Sequence, residues 1–442
     1  MIRRLRVRGY KSLRDTAIDF EPVSVIIGPN GVGKSNLLDL VGLMSRLVSR
    51  ETVREAFDGH RGRVLEAFHS PDGFGPEAYS DLLVRDQLTF EVECDLQVNP
   101  RIVAEINQSL EGMEKLRGTA APYTRVTETL LRYSLAVTLH PRTGELLITN
   151  ESLRSLKKNL EPKADSVRSP FLEKKHDARG QERFVARVER QGHPRYFEPE
   201  RPRTLLSELS DPVYHPHVVA AAREISSWRV YYVEPSRMRE EVGVRAAQDP
   251  GRSGELLAPY FYFIQQKHPA VLSGINRNLQ ELLPGVGGLK VHVREGILDL
   301  VVVQQSGAEY PARLLSEGTL RLLCVIGISV APAGPAVVGY EEPENGVNPA
   351  RLELIARIVR NAAQVRSDGP QFLITTHSPL VCKLLPHHLV LCNWSKESES
   401  RFRVPDWRHD SLYFENEITA ALDDETDDVT RRRRHHVAEP GG

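Results

Sequence analysis

The sequence predicts an α/β protein with a mixed sheet at its core, and three observations carry that prediction. Gly28 to Ser35 reads GPNGVGKS, which satisfies the phosphate-loop spacing G-x-x-x-x-G-K-[ST] at every fixed position. From Arg313 to Thr375, helical and buried-strand patterns alternate, as in a parallel sheet covered on both faces. Leu88, Phe90, Val92, Cys94 and Leu96 alternate without a break with Thr89, Glu91, Glu93 and Asp95, which marks an antiparallel strand with one wet face.

Taken in order, Ile2 to Val7 and Ala17 to Phe20 read as a hairpin turning around Arg8 to Ser12, and the apolar run Val23 to Ile27 delivers the phosphate loop. Asn36 to Arg50 follows with helical apolar spacing. Beyond the strand at 88–96, a helical piece near 100–117 interrupts an antiparallel region that resumes at Tyr133 to Leu139, Leu146 to Ile148 and Phe184 to Val188. Residues 155–183 are dense in Lys, Arg, Asp and Glu and read as a solvated loop, with a basic contact surface as the alternative. Leu205 to Trp228 and Gly254 to Leu283 are helical around a buried strand at Val230 to Val233, which suggests a lid or arm. Lys290 to Val293 and Ile297 to Val303 form a hairpin. Helices at 313–330 and 349–363 then enclose buried strands at Ala336 to Tyr340 and Gln371 to Thr375. The tail from Asp423 carries DDETDD and RRRRHH, opposed charge blocks that predict disorder.

Composition excludes several classes. At 442 residues the chain has room for two or three domains, and 58 basic against 59 acidic residues give no global field for nucleic acid. No 18-residue apolar run appears and the N-terminus lacks a signal-peptide core, so a cytoplasmic protein without a membrane span is expected. Cys94, Cys324, Cys382 and Cys392 sit in apolar runs without metal-ligand spacing and are expected as reduced, buried thiols. His215 and His217, and His387 and His388, read as ordinary loop and core positions rather than a zinc site.

The chemistry follows from the loop. Gly28, Pro29, Asn30, Gly31, Val32, Gly33 and Asn36 would wrap a triphosphate, with the backbone N–H groups of all but Pro29 available as donors and backed by the helix dipole, Lys34 would neutralise the β and γ oxygens, and the Ser35 hydroxyl would ligate Mg²⁺. A phosphate loop needs a partner strand ending in acids, and Ala336 to Glu342 supplies one: Glu341 is expected on the metal side and Glu342 as general base. Ser316 and Gly318 open a helix that could hold a γ-phosphate, and His377 ends a buried strand where it could sense that phosphate or the attacking water.

The segments GYKSL, GPNGVGKSN, LLSEGTLRLL, YEEPENGVNP and TTHSP, in that order, resemble the ABC-class ATPase heads of the SMC, RecF and OLD type, most closely their stand-alone bacterial members. The resemblance covers residues 1–50 and 287–395. It implies an N-terminal ATPase lobe at 1–98, an antiparallel β subdomain at 99–198, a helical lid at 199–286, a C-terminal ATPase lobe at 287–422 and a charged tail at 423–442. It also implies ATP and Mg²⁺ as ligands and a head-to-tail homodimer, in which Ser316 and Gly318 of one protomer complete the site formed by Lys34, Ser35, Glu341, Glu342 and His377 of the other. Lys11 of GYKSL is a further nucleotide-contacting candidate, and Gln87 is the candidate for the glutamine that couples metal to lid movement. Relatives often carry Asp at position 341 and His at 348, where this chain has Glu and Asn. The segment after TTHSP is too short for the acidic nuclease domain of OLD nucleases. The expected function is an ATP-hydrolysing switch acting on double-stranded DNA or a separately encoded nuclease, in genome maintenance or anti-phage defence. An ABC transporter motor and an ATP-dependent scaffold with negligible hydrolysis are the alternatives.

Overall fold

The computed structural model describes residues 1–404, except 72, 118–122, 166–168, 190–193, 332–333, 365–367, 387 and 395–398. The tail at 423–442 and His387 lie outside the described residues. The chain forms two compact units, the first from residues 1–21, 28–228 and 390–404, the second from 22–27 and 229–389.

The first unit is organised by one antiparallel sheet of eight strands, in the order Leu13–Asp19, Ile2–Tyr10, Leu88–Gln97, Leu130–His140, Glu145–Ser155, Leu172–His176, Glu182–Ala186 and Arg195–Phe197. Its registers line up side chains from distant parts of the sequence. Ile18, Leu5, Cys94, Tyr133, Leu153, Leu172 and Ala186 are successive partners across seven strands, and all are buried. Alternate residues face the other way and carry charge: Arg4 pairs with Asp19, Arg6 with Glu93, and Arg132 grips Asp95 with two bonds of 2.6 and 2.8 Å. The period-2 alternation seen at 88–96 is this division between an apolar row and an ionic row. Helices Lys34–Leu47 and Pro216–Ser226 belong to this unit and meet where Ser45 Oγ donates to the Ser226 carbonyl (3.1 Å).

The second unit carries the parallel sheet. Its strands run Arg229–Tyr231, Val337–Glu341, Gln371–Thr376 and Val23–Ile27, all parallel. Both central strands are buried along their whole length, so they read as continuous apolar runs and not as alternating ones. Helix Glu317–Val330 packs against helix Leu257–Lys267 at Gly327, where the Tyr260 ring lies close and its hydroxyl donates to the Gly327 carbonyl (2.7 Å). A hairpin of Val286–Arg294 and Ile297–Gln304 is held to the helices 257–282 by Gln265, which exchanges two bonds with the backbone of Val291.

Several expectations change. The N-terminal strands are longer than expected and turn at Lys11-Ser12, with Lys11 at φ +47. The boundary drawn at residue 98 falls at the end of a strand that pairs with both the N-terminal hairpin and the strand at 130–140, so the first lobe and the β subdomain share one sheet. The stretch expected as one lid, 199–286, divides. Residues 205–226 are tied into the first unit through Glu151 and Glu224, whereas the helices at 257–282 serve the hairpin of the second. The charged stretch 155–183 contains the strand Leu172–His176, and Lys157, Lys163, Lys174, Lys175 and Arg183 of this region each meet a carboxylate within 3.3 Å. The four cysteines are buried and free, as expected. His217 is a core residue: it stacks on Phe171 and its Nε2 accepts from the Thr127 and Glu128 N–H groups. Among the described residues no helix is long and apolar enough to cross a membrane.

One buried acid interrupts the apolar face. Glu151 continues the row Val7, Val92, Leu135, and its carboxylate accepts from Tyr133 Oη (3.0 Å) and the backbone N–H groups of Leu205 (2.6 Å) and Leu206 (3.1 Å). Burial outweighs these bonds and pushes its carboxyl from 4.5 up to about 7. The folded state then keeps a proton that the unfolded chain has lost, so between about pH 4.5 and 7 this group lowers stability as pH rises, by roughly 3 kcal/mol in all. Glu151→Gln should remove that slope. Thermal melts at pH 5 and pH 8 that differ equally in both proteins would contradict it.

Candidate functional site

The phosphate loop is shaped from behind. The chain leaves its strand at Ile27, turns through Gly28 to Gly33 and enters the helix at Lys34. Gly33 sits at φ +97, and a Cβ there would collide with the hydroxyls of Ser12 and Ser400; at Gly28 it would collide with the Cys392 carbonyl oxygen. Ser400 Oγ donates to the Val32 carbonyl (2.6 Å) and lies 2.7 Å from Ser12 Oγ, which also accepts from Asn36 Nδ2 (2.8 Å). The Lys34 ammonium is buried, 5% exposed, and donates to the carbonyls of Gly28 (2.5 Å) and Pro29 (2.6 Å). Among the described residues, the N–H groups of Gly31, Gly33 and Ser35 donate to no acceptor of the chain. Unsatisfied N–H groups at a helix N-terminus beside a fixed cation are the donor set that a phosphate ester needs, so these residues fit the expected ligand.

Lys11 is engaged elsewhere. Its ammonium pairs with Asp39 on the phosphate-loop helix and donates to the Arg61 carbonyl (2.8 Å), while Tyr10 Oη meets Asp39 at 3.2 Å and His60 Nε2 at 2.9 Å. Burial alone would raise the Asp39 carboxyl, but the charge and hydrogen bond of Lys11 outweigh it and hold it below the usual range. Burial lowers His60 to about 4, so the imidazole is neutral in this network. The lysine expected at the nucleotide is thus a strut between the N-terminal turn and the loop's helix.

The second unit gathers the acids. The register pairs Glu341 with Thr375, Thr375 with Ile26, and Thr376 with Ile27, so the carboxylates, the strand-end histidine and the entry to the phosphate loop lie at one edge of one parallel sheet. With strands about 4.8 Å apart, Glu341 and Ile26 are separated by roughly 10 Å. Ligands of such sheets bind beyond the carboxyl ends of the strands. Glu341 is 4% exposed. Glu342 departs from the strand at φ +46, a left-handed conformation rare outside glycine, and its N–H donates to the Thr375 carbonyl (2.9 Å) while Asn345 Nδ2 donates to its Oε2 (2.6 Å). His377 Nδ1 lies 3.6 Å from Glu342 Oε1.

Ser316 N-caps helix Glu317–Val330, its hydroxyl accepting from Thr319 N–H (3.3 Å), and Gly318 is buried against Arg351 and the Gly346 carbonyl. Ser316 itself is exposed, and Leu314 beside it is 71% exposed. Gln87 is exposed immediately before the strand Leu88–Gln97. Sequence reasoning missed Glu344. Its Oε1 accepts from Thr376 Oγ1 (2.6 Å) and His377 N–H (3.1 Å). The acid after Glu-Glu-Pro gives no periodic signal, and only the proximity of two strand ends discloses its role.

Residues 23–383 match the family described as "AAA domain, putative AbiEii toxin, Type IV TA system", and the chain belongs to that family. Among solved structures, the chain is similar to an SMC head bound to the C-winged helix domain of ScpA, at 12% identity and a TM-score of 0.51, over 92% of this chain and 98% of that one. It is also similar to an SMC head domain with an extended coiled coil bound to the C-terminal domain of ScpA from Pyrococcus furiosus, at 9% identity and a TM-score of 0.48, over 95% and 99% of the two chains. The fold is that of the SMC head, a P-loop ATPase architecture.

Proposed function

We propose that this member of the AAA-domain family is an ATP-hydrolysing switch that closes as a head-to-tail dimer and works on a separate effector. The observation that carries the proposal is the register that brings Glu341, Glu342 and His377 to the edge of the sheet from which the phosphate loop departs. Lys34 and the N–H groups of Gly31, Gly33 and Ser35 bind the phosphates. Ser35 and Glu341 offer hard oxygen ligands to Mg²⁺, with Gln87 as a further candidate; the bound ion would offset charge on the β and γ oxygens. Glu342, held apart from the strand axis by its left-handed backbone, accepts the proton of the attacking water, and His377 orients that water or the γ-phosphate. Ser316 and Gly318 of the partner protomer close the site. The basic side chains of residues 157–187 are largely paired with carboxylates, which favours a protein effector such as a separately encoded nuclease over double-stranded DNA.

Glu342→Gln tests the reading. The amide preserves shape and the Asn345 contact while removing the base, so ATP binding should persist and turnover should fall by about a hundredfold or more. ATP should then trap the dimer on gel filtration. Loss of Mg²⁺-ATP binding in this variant, with Glu341→Gln merely slowed, would reverse the two assignments. A wild-type protein that binds ATP and never hydrolyses it would instead be a scaffold.

A further inference from the structure

Two buried polar atoms at the end of strand Gln371–Thr376 have no hydrogen-bond partner: His377 Nδ1 and Glu344 Oε2. Such atoms are rare in folded proteins and ask for an explanation. The other Glu344 oxygen is fully used. It accepts from the Thr376 hydroxyl at 2.6 Å and the His377 N–H at 3.1 Å, and Thr376 Oγ1 in turn accepts from the Ser378 N–H at 2.9 Å. Glu344 therefore fixes the backbone on both sides of the His377 Cα. The imidazole is held above it with Nδ1 3.5 Å from Glu344 Oε1 and 3.6 Å from Glu342 Oε1, equidistant from two carboxylates and just beyond bonding distance of either. Nδ1 is buried, yet the side chain as a whole is 39% exposed, so the rest of the ring is the accessible part.

We propose that Glu344 is a positioning residue: it draws the ring proton of His377 to Nδ1, leaves Nε2 as the open acceptor of the ring, and competes with Glu342 for the Nδ1–H. The inference rests on the function proposed above for His377 and Glu342. When the ring leans to Glu344, the Glu342 carboxylate is free to act as base. When it leans to Glu342, the base is occupied. A movement of a few tenths of an ångström separates the two arrangements, and no backbone change is needed. A carboxylate at position 344 thus sets the fraction of time for which Glu342 is available.

Glu344→Gln separates positioning from simple support, because the amide oxygen can still accept from Thr376 and His377 while the charge that attracts Nδ1–H is gone. The first readout needs no nucleotide. Imidazole nitrogen spectra of the full chain in alkaline buffer, with the His377 signals assigned by His377→Gln, should report the Nδ1–H tautomer in the wild type and a displaced Nδ1 signal in Glu344→Gln, where the Nδ1–H passes to Glu342 alone. The second readout is steady-state ATP hydrolysis, in which kcat should fall by about tenfold or more with KM for ATP within about twofold and an unchanged melting temperature. The double variant Glu344→Gln/His377→Gln should be no slower than His377→Gln alone. Unchanged His377 nitrogen signals in Glu344→Gln would overturn the proposal, as would an equal loss of kcat with and without His377. A wild type that hydrolyses no ATP would remove the proposed function, while the nitrogen spectra would still decide the positioning.

Discussion

Lys34→Ala should abolish the rise in melting temperature expected of the wild type on adding ATP. The Lys34 ammonium is buried in the curve of the loop and held by the carbonyls of Gly28 and Pro29, so it is positioned before any ligand arrives. A triphosphate entering that curve without the ammonium would face carbonyl dipoles and no fixed cation in the loop. At a hundredfold excess over Kd, bound nucleotide stabilises the wild type by about 2.7 kcal/mol, and a loss of two or more decades in affinity reduces that to a fraction of 1 kcal/mol. The variant loses a donor to two loop carbonyls and the packing of the lysine stem, so its own melting temperature without nucleotide is the reference for the shift. Melting curves with and without Mg²⁺-ATP make the measurement. An undiminished shift in Lys34→Ala would remove the loop from the binding site.

Mixing two inactive variants should restore hydrolysis if the proposed head-to-tail dimer forms. Ser316 is exposed at the start of its helix, so Ser316→Arg is accommodated at the expense of one N-cap, about 1 kcal/mol. In a head-to-tail dimer that arginine obstructs the partner's nucleotide, and Lys34→Ala empties its own site. A mixed pair keeps one good site, built from the loop of the Ser316 variant and the cap of the Lys34 variant. Random re-pairing makes about half of the dimers mixed, each with one site of two, so the ceiling is roughly a quarter of wild-type activity. Subunit exchange is verified separately with labelled protein. Normal hydrolysis by Ser316→Arg alone would show that this cap takes no part in the reaction.

How much of this was legible in the sequence depends on the range of the interaction concerned. The phosphate loop, the strand at 88–96 and the alternation from 313 to 375 announce themselves because their patterns repeat within a few residues. The eight-stranded sheet does not, since nothing local says that Leu5 lies beside Cys94 or Leu153 beside Leu172. The same limit explains the undivided lid. Residues 205–226 and 257–282 share helical spacing, and only the acceptors of their polar groups, Glu151 and Glu224 for one and the Val291 backbone for the other, reveal two allegiances. Lys11 looked available because nothing local in the sequence pairs it with Asp39, which lies 28 residues away and meets it only after folding. Glu341, Glu342 and His377 were recognisable as strand-end polar residues after apolar runs. Glu344 is invisible by that criterion, because it follows a proline and touches strand 371–376 only after folding.

The bonds that back the phosphate loop have a consequence for how the protein is made. Ser12 is made shortly before the GPNGVGKS segment, but Cys392 and Ser400, which lie against Gly28, Val32 and Gly33, follow only after more than three hundred further residues. Until those residues emerge, the Val32 carbonyl lacks the Ser400 and Cys392 donors that it has in the folded protein. More than three hundred residues must therefore be added after the motif before the backing it has in the folded protein is complete, so this part of the loop's support forms late relative to the loop itself.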